Sequence, residues 1–336
     1  MIMNTPSSLP LPWLQRLLQD PQVNQFELVQ SLWSDLGQLL RCYSPARQAS
    51  LIIKLISQPA TFRHPRGWSS QHSLERKWRS YEIEQYFYSH YAPHFAGYGN
   101  LAQLIASDTE DNASGARLAL VLSDLNAGGF EYRHQQLNAD ACKPVLAWLA
   151  AFHARFIQQA PDGLWPQGSY WHLATRPDEF SKMAEGPLKQ FAQAFDKTLQ
   201  QCPYRTFIHG DAKVANFCFS ADGQAVAAVD FQYVGGGIGV QDVAYFLGSV
   251  LSEQDQLNHT EDCLDYYFRE LRSTLSKQLP PEECEAVCKS WRQLYCVANA
   301  DFHRFLAGWS PEHFKINRML QQQTEQAIAL VSARTQ

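Results

Sequence analysis

The run His209-Gly210-Asp211-Ala212-Lys213-Val214-Ala215-Asn216, followed by Val229-Asp230-Phe231, places two carboxylates and an amide at a spacing suited to phosphoryl transfer. A hydroxyl attacking phosphorus must lose its proton and be aimed in line with the leaving oxygen. A carboxylate within hydrogen-bond reach does both, and Asp211 is expected to take that role. Magnesium prefers hard oxygen ligands, one or two from the protein and the rest from phosphates and water, which Asn216 and Asp230 can supply. Lys213 is placed to meet a phosphate oxygen as charge builds in the transition state. The chemistry implied is transfer of the ATP γ-phosphate to a hydroxyl, with ATP and Mg2+ as the cofactors.

Three polar groups must converge for this to work, and the local pattern brings them together. Asn216 to Phe219 reads as a short strand, Ser220-Ala221-Asp222-Gly223 as a turn, and Gln224 to Val229 as the returning strand. Asp-Gly between apolar runs is a strong hairpin signal. Asn216 then opens the first strand and Asp230 follows the second, so both fall at the open end of one hairpin. Asp211 lies in the loop feeding that end.

The rest of the chain is of a size to hold such a site. Its 336 residues suit two modest lobes, each able to bury a core. Apolar residues make up 45% and charged residues 18%, the balance of a globular protein. A net charge of -5 with signs interspersed argues against nucleic acid as a partner. No window approaches a membrane span, and the first residues lack the basic start and apolar stretch of a signal peptide. The eight cysteines are scattered without a Cys-x-x-Cys pair, as expected of free, buried thiols in a cytoplasmic protein. Oligomeric state is not legible.

Along the chain, a short helix is expected over Trp13 to Leu18 and strands over Phe26 to Val29, Gly37 to Cys42 and Ser50 to Ile56. A loop from Pro59 to Ser70 precedes a long helix from Ser73 to about Tyr91, closed by Pro93. A further strand covers Leu118 to Leu122, after which the chain turns mainly helical. The fold class expected is α+β and bilobal: a β-rich, nucleotide-binding N-lobe (1–122) with one long helix, a hinge (123–129), and a mainly helical C-lobe (130–336) carrying the catalytic loop, metal site and acceptor pocket.

His-Gly-Asp-x-x-x-x-Asn followed by Asp-Phe resembles the catalytic and metal-binding segments of the aminoglycoside phosphotransferase and choline kinase-like group, which has a protein-kinase-like fold. Three other stretches carry the likeness: Leu122-Ser123-Asp124-Leu125, similar to the hinge strand; Leu149 to Phe156, similar to the helix after it; and Gln241-Asp242-Val243-Ala244-Tyr245-Phe246-Leu247, similar to the segment beyond the metal site. The Ala-x-x-His-Ala and Asp-Phe-Gln forms resemble the ecdysteroid kinase-like branch. The resemblance implies that Lys54 holds the α- and β-phosphates, that Ser123 and Leu125 border the nucleotide, and that a helical glutamate pairs with Lys54. Glu84, on a largely aromatic helix face, is favoured for that pair over Glu82. No Gly-x-Gly-x-x-Gly precedes Lys54; Ser31 to Gly37 is the nearest equivalent of a phosphate loop. Asp242 and His209 read as braces of the catalytic loop, and His153 as a core histidine.

The acceptor is expected against ring-rich segments, Leu164 to His172 and Trp291 to Trp309. Aromatic faces beside a carboxylate suit an amino alcohol such as choline or ethanolamine, and core packing suits the same rings; another small alcohol fits the motif equally. Gly235 to Gly239 reads as a flexible loop or a tight backbone path. The rival readings are a nucleotide-binding scaffold without catalysis and a protein-directed kinase or nucleotidyltransferase.

Overall fold

The computed structural model describes residues 9–32, 36–57, 71–112 and 115–335. They form two compact units. The first comprises the described residues up to His94 together with Leu101–Glu131; the second comprises Phe95–Asn100 and Tyr132 onward. Residues 123–129, read above as a hinge, fall inside the first unit.

The first unit begins with α1 (Leu11–Leu18), which starts on a proline-rich entry and stops at Gln19 in the left-handed conformation. Strands β1 (Phe26–Ser31), β2 (Gly37–Ser44) and β3 (Ala49–Ser57) precede the twenty-residue helix α2 (Gln71–His90). After the two-residue β4 (Asn100–Leu101) come β5 (Leu104–Asn112) and β6 (Gly115–Ser123). The antiparallel sheet runs β1-β2-β3-β6-β5. One face buries Trp13, Leu14 and Leu18 of α1 against Leu40, Leu51, Ile53 and Val121. β5 has no counterpart in the strands expected from sequence. As an edge strand it carries Asp108, Glu110 and Asp111 instead of an apolar alternation, a composition that discourages edge-to-edge pairing. The expected loop from Pro59 to Ser70 and residues 33–35 of the Ser31 to Gly37 turn lie outside the described residues.

The second unit is mainly helical. α3 (Ala139–Arg155) is capped by Asn138, whose side chain accepts from Ala141 N at 2.9 Å. Short helices α4 (Pro177–Lys182), α5 (Pro187–Gln190) and α6 (Ala192–Gln200) lead to strand β7 (Thr206–Ile208). Strands β8 (Phe217–Phe219) and β9 (Val226–Ala228) form the expected hairpin, with Phe217 opposite Ala228 and Phe219 opposite Val226. Gly223 takes φ +68° in the turn, and Asp222 accepts from Ser220 Oγ and Gln224 N. β10 (Gly235–Gly237) pairs antiparallel with β7. Helices α7 (Val240–Val250), α8 (Glu253–Leu275), α9 (Pro281–Trp309) and α10 (Arg318–Thr335) complete the unit.

The Gly235 to Gly239 stretch is therefore no flexible loop: it is buried, and its glycines are demanded by close approach. A Cβ on Gly235 would lie 2.2 Å from the Trp165 carbonyl oxygen, and one on Gly239 2.3 Å from the Tyr267 hydroxyl. No helix among the described residues is long and apolar enough to cross a membrane.

Candidate active site

The loop from His209 to Asn216 is held from beneath by Asp242, fully buried at the start of α7. Its carboxylate accepts from His209 N at 2.6 Å, Gly210 N at 2.9 Å and His153 Nε2 at 3.0 Å. His153 Nδ1 meets the Tyr267 hydroxyl at 2.8 Å, so both ring nitrogens are satisfied. His209 uses its two nitrogens along the loop. Nε2 donates to the Val229 carbonyl at 3.0 Å, and Nδ1 accepts from Asp211 N at 3.3 Å. One neutral tautomer serves both contacts. The bracing roles read for Asp242 and His209 are thus visible as hydrogen bonds, and His153 is the buried, satisfied histidine expected. Gly210 takes φ +77°, and a Cβ there would fall 2.1 Å from the Tyr233 carbonyl oxygen, so only glycine fits.

Asp211 follows, buried, and its two carboxylate oxygens are treated differently. Oδ2 accepts from Lys213 Nζ at 2.9 Å and from Asn216 Nδ2 at 3.1 Å. Oδ1 is buried and makes no hydrogen bond of normal geometry among the described residues, with the Tyr245 hydroxyl interacting with the carboxylate. Burial raises the Asp211 pKa, with Asp230 adding to the rise and Lys213 opposing it. Lys213 is raised in turn: burial works against its charge, but Asp211 and Asp230 outweigh it.

Asn216 ends a short 3-10 turn (Val214–Asn216), one residue before the strand that was expected to begin with it. Its Nδ2 donates to the backbone oxygen of Asp211 at 2.8 Å as well as to the carboxylate. Both partners only accept, so the nitrogen must face them and Oδ1 points away. Val229 N donates to Asn216 O at 3.0 Å, extending the hairpin ladder by one step and bringing Asp230 to the same end. Asp230 sits in the left-handed region at φ +69°, with Gln232 Nε2 donating to its Oδ1. Asp211, Lys213, Asn216 and Asp230 therefore gather at one place.

An amide oxygen and a carboxylate are hard donors and fit magnesium. Among the described residues no group of three or more His, Cys, Asp or Glu side chains could hold a metal by itself. A donor set this sparse suits an ion that completes its shell with phosphate and water.

In the first unit, Lys54 faces inward from β3 between Leu39 and Leu120, and its Nζ meets Glu84 Oε2 at 2.6 Å in a buried ion pair. Glu84 shares its helix face with the buried Ser80, Tyr81, Phe87 and Tyr88. Glu82 turns outward to Arg79 at 3.0 Å and to Trp78. Ser123 closes β6, its Oγ accepting from Gln103 N at 2.9 Å, and Leu125 is buried. Between them, Asp124 is tied to Arg41 and Ser50, both at 2.7 Å.

The two ring-rich segments divide into core and wall. Trp291 is fully buried and donates to the Tyr204 carbonyl at 2.8 Å. Asp301 and Arg304 form a buried pair at 2.8 Å, with Arg304 also donating to Trp171 O. His303 is buried against Thr324, and desolvation lowers its pKa to about 4. These side chains are buried in the packing around α9. Tyr170, Trp171, Phe302 and Phe305 instead cluster with Tyr245, whose hydroxyl is 3.1 Å from that of Tyr170. Burial raises the Tyr245 pKa well above its usual value, and the neighbouring Asp211 charge adds to the rise. Sequence placed Tyr245 only within the segment beyond the metal site, with no role of its own, and did not single out Lys315. They lie 34 and 104 residues beyond Asp211, and no local pattern links them to it.

Residues 166–279 match the model of the ecdysteroid kinase-like family. That stretch holds Asp211, Lys213, Asn216, Asp230 and Asp242. Among solved structures, a microcompartment-associated aminopropanol kinase is 15% identical, with 97% of each chain aligned and a TM-score of 0.49. An ethanolamine kinase from Plasmodium vivax is 12% identical over 93% of this chain and 85% of that one, with a TM-score of 0.47. Macrolide 2'-phosphotransferase type I is 9% identical over 98% and 99%, also at 0.47. No curated protein sequence matches the chain. The element order is that of an α+β, protein-kinase-like fold: an antiparallel sheet with a Lys–Glu pair, then a helical unit with an Asp-bearing loop and an Asn–Asp hairpin. Over residues 166–279 the chain is similar to the ecdysteroid kinase-like family.

Proposed function

We propose that the protein is a magnesium-dependent kinase that transfers the ATP γ-phosphate to a hydroxyl of a small molecule. The observation that carries this reading is the buried Asp211 carboxylate beside the Asn216–Asp230 hairpin end: Lys213 and Asn216 hold Oδ2, while Oδ1 makes no hydrogen bond of normal geometry and the Tyr245 hydroxyl is the neighbouring donor on the carboxylate. A desolvated carboxylate oxygen left unpaired is costly, and an acceptor hydroxyl donating to it satisfies it.

In this reading Asp211 orients the hydroxyl and takes its proton at Oδ1, while Lys213 and Asn216 fix Oδ2 so that the other oxygen stays aimed. The raised Asp211 pKa makes it a stronger proton acceptor than an exposed aspartate. Asn216 Oδ1 and the Asp230 carboxylate would hold magnesium, which supplies charge neutralisation for the phosphates. Lys54, oriented by Glu84, would hold the α- and β-phosphates, with Ser123 and Leu125 bordering the nucleotide. Soluble, cytoplasmic action on a small alcohol accords with the composition, and Gly210 stands where a kinase reading a phosphorylated activation loop would carry arginine.

The test is magnesium-dependent ADP release against a panel of alcohols, with Asp211→Asn in parallel. Loss of a positioned general base should lower acceptor-stimulated turnover by about 10²- to 10⁴-fold. Mg-ATP binding with no stimulation by any acceptor would support the scaffold reading instead. Label from γ-labelled ATP appearing on protein would support a protein substrate.

A further inference from the structure

Lys315 lies in the connection between α9 and α10, a segment with little freedom. Ser310 N donates to Leu306 O and Ile316 N to His313 O, both at 2.8 Å, and Lys315 N donates to His313 Nδ1 at 3.2 Å. Asn317 Oδ1 caps the following helix through Leu320 N at 2.9 Å. The Lys315 ammonium is held over the Tyr245 ring at 5.2 Å and the Phe302 ring at 5.8 Å. It is close enough to Asp211 and Lys213 to feel both charges.

Lys54, Lys213 and Arg304 are each paired with a carboxylate. Among the described residues no aspartate or glutamate pairs with Lys315. Burial pushes its amine down to about 8. A partly desolvated cation without a counter-ion is a costly arrangement that an anionic ligand would relieve.

The space beside Lys315 is polar. A cavity of about 520 Å³ is lined by Lys315, Ser249, Ser252, Gln256 and Asn317, with Glu253 as an acidic member. Its wall adjoins the catalytic loop, because Ser249 Oγ accepts from Val214 N at 3.3 Å. The volume suits a small metabolite-sized ligand. The ring faces near Asp211, which would attract an ammonium group, already carry the protein's own cations. Lys315 covers Tyr245 and Phe302, and the Arg176 guanidinium lies 5.6 Å from the Tyr170 ring and 5.5 Å from the Phe305 ring. An amino alcohol would compete with them for these rings.

Building on the phosphotransfer reading above, we propose that the acceptor is an acidic alcohol, bearing a carboxylate or phosphate group, and that Lys315 binds this anion in the polar cavity while Asp211 receives the hydroxyl. The anion lies on the Lys315 side and the hydroxyl on the Asp211 side, which keeps the two negative charges of the complex apart.

The experiment has a turnover arm and a binding arm. ADP release is measured with hydroxycarboxylates, phosphorylated polyols, neutral polyols, ethanolamine and choline, using wild type, Lys315→Gln and Lys315→Arg, each checked for folding by circular dichroism. The expected result is a preference for one acidic class, which also tells carboxylate from phosphate. Loss of a charge-assisted contact in Lys315→Gln should raise its KM roughly ten- to hundredfold while kcat changes far less, with Lys315→Arg largely restoring it. Calorimetric binding of the same acids to wild type and Lys315→Gln, with a non-hydrolysable Mg-nucleotide present, reads the site without turnover. Acid binding that depends on Lys315, with no ADP release, keeps the anion site and removes the kinase reading. Turnover of ethanolamine, choline or neutral polyols that ignores Lys315→Gln keeps the kinase and overturns the acidic acceptor. Absence of binding by either class of acid overturns it as well.

Discussion

Asp242 makes three hydrogen bonds at its carboxylate, two of which hold the backbone of the loop from His209 to Asn216. Oδ2 accepts from His209 N and His153 Nε2, and Oδ1 accepts from Gly210 N. In Asp242→Asn one of these oxygens becomes an NH2 group that can only donate. The less costly placement puts the nitrogen at the Oδ1 position, so the Gly210 N–H loses its acceptor and the new amide hydrogens find none. An orphaned buried donor costs about 1–3 kcal/mol, and the two surviving bonds lose their charge assistance. Together these amount to about 3–5 kcal/mol, a large share of the roughly 5–15 kcal/mol that holds a domain folded. Urea unfolding should report that loss, and hydrogen exchange should show the His209 and Gly210 amides newly exposed. Turnover should fall too, since Asp211 is the next residue along. A loss under about 1 kcal/mol with both amides still protected would show that the loop is held by something else.

Gly210→Ala should be severe for a different reason. Its left-handed backbone and the 2.1 Å approach to Tyr233 O combine strain and overpacking, for a stability loss of about 2–5 kcal/mol measured by thermal or urea unfolding. If the acceptor is acidic, kcat/KM for it should fall as pH rises through about 8, where Lys315 loses the proton that binds the anion. Lys315 faces Asp211, which raises its pKa, and Lys213, which lowers it; His313, itself lowered by burial, is bonded to its backbone. Lys315→Arg should abolish that limb of the profile, because arginine stays charged throughout.

What the sequence disclosed depended on whether local pattern or distant packing determined the feature. The hairpin was legible because its apolar runs and Asp-Gly turn are contiguous, and they carry Asn216 and Asp230 to one end. Glu84 could be separated from Glu82 because helical periodicity sets them on different faces of α2, one buried and one paired with Arg79. β5 was missed because an edge strand with one polar side has no alternation to read. The glycine strand β10 has no side-chain pattern at all, and only the surrounding Trp165, Pro166 and Ile208 show why it must be glycine. Lys315 was invisible for a related reason. A single lysine after His313-Phe314 is unremarkable until the fold sets it over Tyr245, near Asp211 but in no ion pair among the described residues.

Asp230 joins a backbone requirement to a chemical one, and two substitutions can separate them. Its φ of +69° lies in the left-handed region, which aspartate and asparagine tolerate through their short polar side chains and alanine does not. Asp230→Asn should therefore fold about as stably as the parent, whereas Asp230→Ala should lose about 1–2 kcal/mol from the backbone alone. Both remove the charge that raises Asp211, so relief of that repulsion is common to the pair and cancels in the comparison. Both also remove the anionic oxygen offered to magnesium, so Mg-dependent nucleotide binding should weaken in each. Unfolding free energies and nucleotide titrations with and without magnesium read the two properties separately. Equal stability of the two variants would sink the conformational argument, because nothing else distinguishes their backbones. Undiminished magnesium dependence in Asp230→Asn would instead remove Asp230 from the metal site, leaving the left-handed turn as its whole purpose.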